Sequence, residues 1–554
     1  MARSGAAGTG YTHRQVLEIL SGLIMAMLTA MISTSVIATA LPTIIGELGG
    51  QEQLAWVASA PLLTMTVATP LWGRLSDLFG RKAMFQAAVV LFAVSSLAAG
   101  FSQDIGGLIA ARAVQGLGAG GVLSLTQIIL GDVVPPRERG RYSGYLGAAY
   151  GVSMVAGPLV GGFLVDTPGL GWRWCFFVSV PLAVVASLII WKVLRLPRPG
   201  RNAPRPKIDW FGAVTITGGA TAIMLLLSLG GKEFAWHSPW TYGLVALGVL
   251  LLVLAVVAER RAAAPILPPR LFGDRTFVLS AASLLLVGVV MFGALIFLPQ
   301  YLQLVRGMSP TASGLMTLPL VIGQMLASTL CGQFITRTGR WKAYPVAGLA
   351  LLTLGMFLLS RLHVDSPLVL IGVDCAVIGV GLGMSMQILV LATQNAVPHA
   401  DMAAATSGVS FFRSLGGAVG VAALGAVLTS RLATELTERL RAAHLPVPNG
   451  AGSELGTPEE IHDLPEPFQG LLLESFTDAL QTAFLVCVPL ALVALAGALA
   501  LRELPLRTSA VPVPEPAEAV PVPKATEDTE AVKAAEAAEA AGPAGPRQDP
   551  TAVP

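Results

Sequence analysis

The sequence reads as an all-α polytopic membrane protein, and three observations carry that reading: composition, the length of the apolar segments, and the placement of Lys and Arg. Of 554 residues, 54% are apolar and only 12% are charged, at a mean hydropathy of +0.70. Soluble domains carry about 25% charged residues, so most of this chain sits where charge is expensive. Fourteen segments reach the ~20 apolar residues needed to cross ~30 Å of hydrocarbon. They lie near 17–42, 54–75, 83–101, 105–132, 141–165, 172–194, 210–230, 240–258, 276–300, 311–335, 343–361, 366–395, 402–430 and 476–502. No ten-residue alternation suggests a barrel, so helices must satisfy the backbone.

Charge orients the spans. With both termini in the cytoplasm, inward segments hold 23 Lys and Arg and outward segments hold seven. That is the positive-inside asymmetry, and it requires an even number of crossings. Trp56, Trp72, Trp172, Trp174, Trp210 and Trp240 fall near span ends, where an interfacial belt belongs. The expected organisation is a cytoplasmic N-terminus over 1–16, six helices over 17–194, a linker with two further helices over 195–275, and six helices over 276–502. A polar outward loop is expected over 431–475. The Ala-, Pro-, Glu- and Val-rich stretch 503–554 lacks the large apolar groups of a core and reads as a disordered cytoplasmic tail. No cleaved leader is expected before the first span. The four scattered cysteines, Cys175, Cys331, Cys375 and Cys487, read as small packing residues, and no metal-ligand spacing occurs.

The chain also repeats itself. Gly73-Arg74-Leu75-Ser76-Asp77-Leu78-Phe79-Gly80-Arg81 returns as Gly332-Gln333-Phe334-Ile335-Thr336-Arg337-Thr338-Gly339-Arg340. Leu41-Pro42 is echoed by Leu298-Pro299, and Ser143-Gly144 by Ser407-Gly408. Parallel six-helix halves with the substrate site between them are a transporter signature. Spans 7 and 8 are then inserted between the halves.

The loop Gly73-x-x-x-Asp77-x-x-Gly80-Arg81-Lys82, between spans 2 and 3, resembles the signature loop of the major facilitator superfamily. Its glycines permit a tight turn, Asp77 suits a helix N-terminus, and Arg81 and Lys82 suit anionic headgroups. Asp132 is expected to join this gate. Span 5 carries Gly151, Gly157-Pro158 and Gly161-Gly162, similar to the motif of antiporters in that superfamily; small residues allow close approach and a proline bends the helix. Span 4 carries Leu108-Ile109-x-x-Arg112-x-x-Gln115-Gly116, resembling the motif whose arginine is assigned to proton transfer. With Trp172-Arg173-Trp174 and Phe411-Phe412-Arg413-x-x-Gly416-Gly417, the resemblance extends over about 15–505 and narrows to the fourteen-helix drug:proton antiporters of actinobacterial type. There is one departure. Ser33 stands where many relatives place a first-span aspartate, and a serine cannot exchange protons near neutral pH.

A charge at bilayer depth is a functional candidate by default. Asp374, Arg112 and Arg413 are therefore read as the proton-coupling groups, Asp374 being the acid deepest within a span. A fixed ion pair of Asp374 with either arginine, or docking of a cationic substrate on Asp374, are the competing readings. Ser33, Gln127, Phe292, Gln300, Gln387, Asn395 and Phe412 are read as lining a substrate cavity.

The function expected is proton-driven export of amphipathic organic compounds. The alternatives are a dedicated exporter of a lipid or secondary metabolite, and a membrane scaffold without transport. No phosphate-cradling Gly-x-x-x-x-Gly-Lys-Ser/Thr loop is present to use ATP, so no cofactor is expected beyond the proton gradient, and neither a catalytic cluster nor a nucleic-acid partner. Low charge with high Ala and Gly fits a high-GC bacterium, whose cytoplasmic membrane is the expected location, and the resemblance implies a monomer.

Overall fold

The structure, a computed structural model, describes residues 13–48, 54–167, 169–194, 209–230, 237–262, 265–445, 465 and 468–507. Helices occupy nearly all of them: α1 (His13–Leu48), α2 (Leu54–Phe79), α3 (Arg81–Gly100), α4 (Ile105–Val133), α5 (Pro136–Asp166), α6 (Ser179–Val193), α7 (Trp210–Leu229), α8 (Pro239–Arg261), α9 (Arg275–Leu304), α10 (Leu318–Thr338), α11 (Ala343–Leu359), α12 (Leu368–Ala396), α13 (Met402–Ala442) and α14 (Phe468–Ala500). A short helix, Trp174–Phe177, leads into α6, and another, Pro310–Met316, leads into α10. Helix starts leave orphan N–H groups. The side chains of Asp104, Asp209 and Asp274 accept from the backbone N–H of Gly107, Gly212 and Phe277 and so cap α4, α7 and α9. Among the described residues, ten helices are long and apolar enough to cross a membrane; the apolar stretches of α7 and α11 are shorter.

The packing is duplicated. In the first six helices α1 lies on α5 and α6, α2 on α4, and α3 on α4 and α6. In the last six, α9 lies on α13 and α14, α10 on α12, and α11 on α12 and α14. Each set buries its own apolar core, the first around Phe85, Phe92 and Leu125, the second around Phe277, Tyr301 and Phe476. The repeated loops share a backbone feature: Gly80 has φ 91° and Gly339 has φ 72°. A side chain resists that left-handed region, which is why glycine returns at both places. Between the sets, α7 and α8 pair with each other, and α7 packs Ala220 and Met224 against Val67 and Phe411.

Two expected boundaries move. The loop assigned to 431–475 is partly helix, because α13 runs on to Ala442 and α14 begins at Phe468. At 1.5 Å per residue α13 is about 60 Å long, twice the hydrocarbon thickness. The extension has a cause in the sequence. Leu424, Leu428, Leu432, Leu436 and Leu440 recur every fourth residue and are all buried, while Arg439 pairs with Glu474 and Asp478 of α14. Residues 503–507, assigned to the expected tail, are held against the bundle. Glu503 accepts from the backbone N–H of Trp341 (2.9 Å) and Lys342 (3.3 Å), and Trp341 Nε1 donates to the Leu504 carbonyl at 2.9 Å. Residues 1–12, 195–208, 446–464 and 508–554 lie outside the described residues. Of the tryptophans, Trp174 and Trp240 are exposed as a belt requires, whereas Trp172 is buried and Trp72 donates to the Leu117 carbonyl.

Trp172 Nε1 and Arg173 NH1 both donate to Glu47 Oε2 at 2.9 Å, tying the end of α1 to the approach to α6. The Trp172 hydrogen bond, then that of Arg173, holds the Glu47 carboxyl below its usual range. Its stabilisation is therefore complete above about pH 4.3, the unfolded value, and is lost as pH falls through the lowered folded value. For an exposed group this is small. Glu47→Gln should lower Tm by about 1–2 °C near neutral pH, and the gap to the parent should close in acid. A gap unchanged from neutral to acid pH would reject the assignment.

Candidate functional site

One end of the bundle gathers the loops between α2 and α3, α4 and α5, and α10 and α11, and is rich in Lys and Arg; it is called the basic end below. There α2 stops at Phe79, Gly80 turns the chain, and α3 opens with Arg81. Arg81 Nε donates to Asp132 at 2.8 Å, and its NH1 meets Asp77 at 2.5 Å and Ser76 Oγ at 2.8 Å. Arg74 stands 3.7 Å from Asp77. The expected gate residues Asp77, Arg81 and Asp132 are thus one network, but these partners all lie in the first set of helices. Lys82 does not reach outward to headgroups in this arrangement: its Nζ donates to the Trp191 carbonyl at 2.5 Å.

Other groups cross between the two sets. A Cβ on Gly73 would lie 2.7 Å from that of Ser407, so α2 and α13 touch where the signature loop begins. Arg139, 3% exposed, donates from Nε to the Val134 carbonyl at 2.7 Å and from NH1 to Gln394 Oε1 of α12 at 2.8 Å. Its NH2 donates to the Gly131 carbonyl. Arg137 Nε donates to the Thr336 carbonyl at 3.1 Å, and His399 Nε2 lies 3.9 Å from Asp132. In the sequence Arg139 is one cation among those of the inward segments. Its signal was positional: a cation in the first turn of a helix opposes the macrodipole, so something else must hold it there.

Along α5 the glycines face α10. A Cβ on Gly144 would overlap Thr329, one on Gly151 would overlap Val321, and one on Gly147 would contact Ser328 at 3.6 Å. Gly157 and Gly161 are buried. A Cβ on Gly162 would meet nothing within 4 Å, so close approach does not explain that glycine. The side chain of Pro158 lies outside the described residues. Between α4 and α12, Gln127 Nε2 donates to Gln387 Oε1 at 3.3 Å, joining two expected cavity residues across the seam.

The intramembrane charges are kept apart. Arg112 is 3% exposed; its NH1 donates to Gln115 Oε1 at 2.6 Å and its Nε to the Val57 carbonyl at 3.4 Å. Gln115 Nε2 in turn donates to Ser96 Oγ at 2.7 Å and to Ser33 Oγ at 3.2 Å. Asp374 is 1% exposed and its Oδ1 has no partner among the described residues. Neither arginine pairs with it among the described residues, so the competing reading of a fixed ion pair has no counterpart in this conformation. Ile378 and Gly381, one and two turns along α12, meet Gly355 and Gly348 of α11. The helical repeat turns Asp374 to that same side, away from Gln387 and Gln394, which meet α4 and the α4–α5 link. Arg413 is part-buried and has no ion pair among the described residues.

The remaining cavity candidates divide. Phe292 packs on Gly417, and Phe412 stands edge-on to Phe411 against α2 and α7. Gln300 is exposed. Asn395 is spent on the C-terminal segment, donating to the Pro505 carbonyl at 3.1 Å and accepting from Arg507 N at 3.0 Å. Among the described residues no cluster of three or more His, Cys, Asp or Glu is placed to hold a metal ion.

The profile described as Major Facilitator Superfamily matches residues 23–421. An uncharacterized MFS-type transporter of Mycobacterium tuberculosis is 40% identical over 489 residues, covering 88% of this chain and 70% of the relative. The multidrug transporter protein MdtP of Bacillus subtilis is 32% identical, covering 84% of this chain and 89% of its own. Among solved structures, a double-tryptophan variant of XylE superposes with a TM-score of 0.62 at 14% identity, over 90% of this chain and 98% of that one. That likeness shows the fold alone.

Arg139→Ala removes the buried donor that joins Gln394 to the α4–α5 link. Losing a charge-assisted hydrogen bond should shift the balance toward opening at the basic end by about tenfold or more. In a Ser407→Cys background, whose side chain is buried against Gly73, labelling by an impermeant maleimide should accelerate accordingly. A rate equal to that of the Arg139 parent would show that the latch does not hold this seam.

Proposed function

The chain belongs to the major facilitator superfamily, and from that premise we propose that it is a proton-driven antiporter exporting amphipathic organic compounds across a bacterial cytoplasmic membrane. The observation that carries the proposal is the seam. Two self-contained helix sets meet along α5–α10 and α2–α13 through glycines, and at the basic end through a few hydrogen bonds from Arg137 and Arg139. Such an interface separates without disturbing either core, which is what alternating access needs. In this reading the fourteen helices all span, both termini are cytoplasmic, and the basic end faces the cytoplasm, closed in this conformation. The protein works as a monomer. The names of relatives support the substrate class: besides MdtP, multidrug resistance protein 3 of Bacillus subtilis is 29% identical.

Asp374 is assigned the exchanged proton because it is the acid deepest in a span and has an oxygen without a partner among the described residues. Its place against α11 means it responds to the seam only when α12 shifts against that neighbour. Arg112 and Arg413 then act from a distance, through the positions of their helices. In inverted vesicles with an imposed proton gradient, export of several unrelated dyes should stop on adding an uncoupler. Asp374→Asn should reduce that export to the uncoupled rate with Tm little changed. Normal pumping by the variant would remove Asp374 from coupling and move the search to Asp77 and Asp132.

A further inference from the structure

The Arg112 network presents a cation with no counterion. Within 4 Å of its guanidinium the described residues offer an amide oxygen and a backbone carbonyl, and no carboxylate. Arginine keeps its charge in proteins, and a buried charge without a partner costs several kcal/mol. The amide of Gln115 cannot turn to help further, since its nitrogen is already committed to Ser33 and Ser96. NH2 of Arg112 makes no hydrogen bond with the described residues. The guanidinium borders a small recess whose other polar walls are Thr34 and Gln115 and whose apolar walls include Pro61, Leu62 and Met65. As it stands, the recess has room for about one water molecule, so an occupant must part α2 from α4. Leu62 is 40% exposed, leaving an apolar flank beside the cation.

We propose that this recess is a subsite for the anionic headgroup of an amphipathic compound, with Arg112 NH2 as its principal donor and the α2 side chains against its apolar chain. The proposal rests on the reading of the chain as an exporter of amphipathic compounds and narrows that class to acids. Serine at position 33 is what makes the site available. An aspartate there would stand beside Gln115 and supply the counterion from within.

The test is binding to the full chain in phosphatidylcholine nanodiscs, with laurate, dodecanol and dodecylamine as probes of equal chain length. Laurate should bind about tenfold or more tighter than the alcohol, and the amine weakest, as expected for a charge-assisted hydrogen bond. Arg112→Gln should abolish the preference, and Arg112→Lys should retain part of it. Ser33→Asp, which leaves the arginine in place, should also suppress it; this keeps the test decisive if Arg112→Gln fails to fold. Repeating the titration in phosphatidylglycerol discs separates the two sources of such a headgroup. Unchanged laurate binding marks a free acid as the occupant. Competition that requires Arg112 marks the bilayer's own anionic lipid, and either result supports the subsite. Equal binding of laurate and dodecanol to the parent, or a preference that survives both Arg112→Gln and Ser33→Asp, overturns it. Laurate binding without gradient-driven flux would instead refute the export reading and leave the subsite standing. Dye export without any preference for the acid would do the reverse.

Discussion

Helices surrounded by lipid gain no hydrophobic energy from meeting one another, so contact between them must come from close packing and from polar groups that cannot turn to water. That constraint fixes this architecture. Within each set of six, large side chains such as Phe85, Phe277 and Phe476 fill dedicated cores. Between the sets glycines recur at the close approaches, Gly73 against Ser407, Gly144 against Thr329 and Gly151 against Val321, with one apolar patch of Val67 and Phe411 beside them. Glycines at these points bring backbones together while burying little side-chain volume. The cores therefore hold each set intact without help from the seam.

Charge obeys the same constraint in two different ways. At the basic end the buried cations are held in different ways, one by carboxylates and one by neutral acceptors. Arg81 has Asp77 and Asp132, and Arg139 spreads its donors over two carbonyls and Gln394. Deeper in the bundle, Arg112 has only neutral acceptors and Asp374 has an unpartnered oxygen. The ion pairs of Arg81 favour one conformation, although Asp77 and Asp132 each keep a buried oxygen without a hydrogen bond among the described residues. Charges left incompletely satisfied respond to whatever next reaches them, a substrate or a proton. In the proposed export reading, Arg81 and Arg139 belong with the latch, and Arg112 and Asp374, which have no ion pair among the described residues, with the transported species.

Much of this was legible in the sequence, because the bilayer imposes lengths and periods that can be counted. The helix order, the repeat and the signature loop follow from apolar runs, from glycines at matching positions and from the Lys and Arg asymmetry. What was missed depended on pairing across distant segments. Residues 431–442 look like a polar loop by composition; their leucine stripe becomes decisive only once α14 lies alongside to bury it. Asn395 looks like a cavity residue until residues 505–507 return to occupy its amide. Arg112 lies seven residues past the start of α4 and Asp374 six past the start of α12, yet position along a helix does not fix azimuth, and Asp374 faces α11. Only Gln127 with Gln387, of the expected cavity residues, was brought together across the seam.

The separation of Arg112 from Asp374 constrains how coupling works if the export reading holds. A guanidinium on α4 and a carboxyl on α12, neither paired with the other, do not exchange a proton through direct contact in this conformation. Coupling then runs through the helices that carry them. On the first side, opening the recess parts α2 from α4, and α2 is the helix whose Gly73 touches α13. On the second, α12 carries Gln387 and Gln394 into the seam and Asp374 on its far side. Loss of the Gln387 and Gln394 contacts frees α12 to move against α11, which changes the surroundings of Asp374. The acid and the cation therefore need no bond between them to be linked; each needs only to sit behind a helix that the seam holds in place.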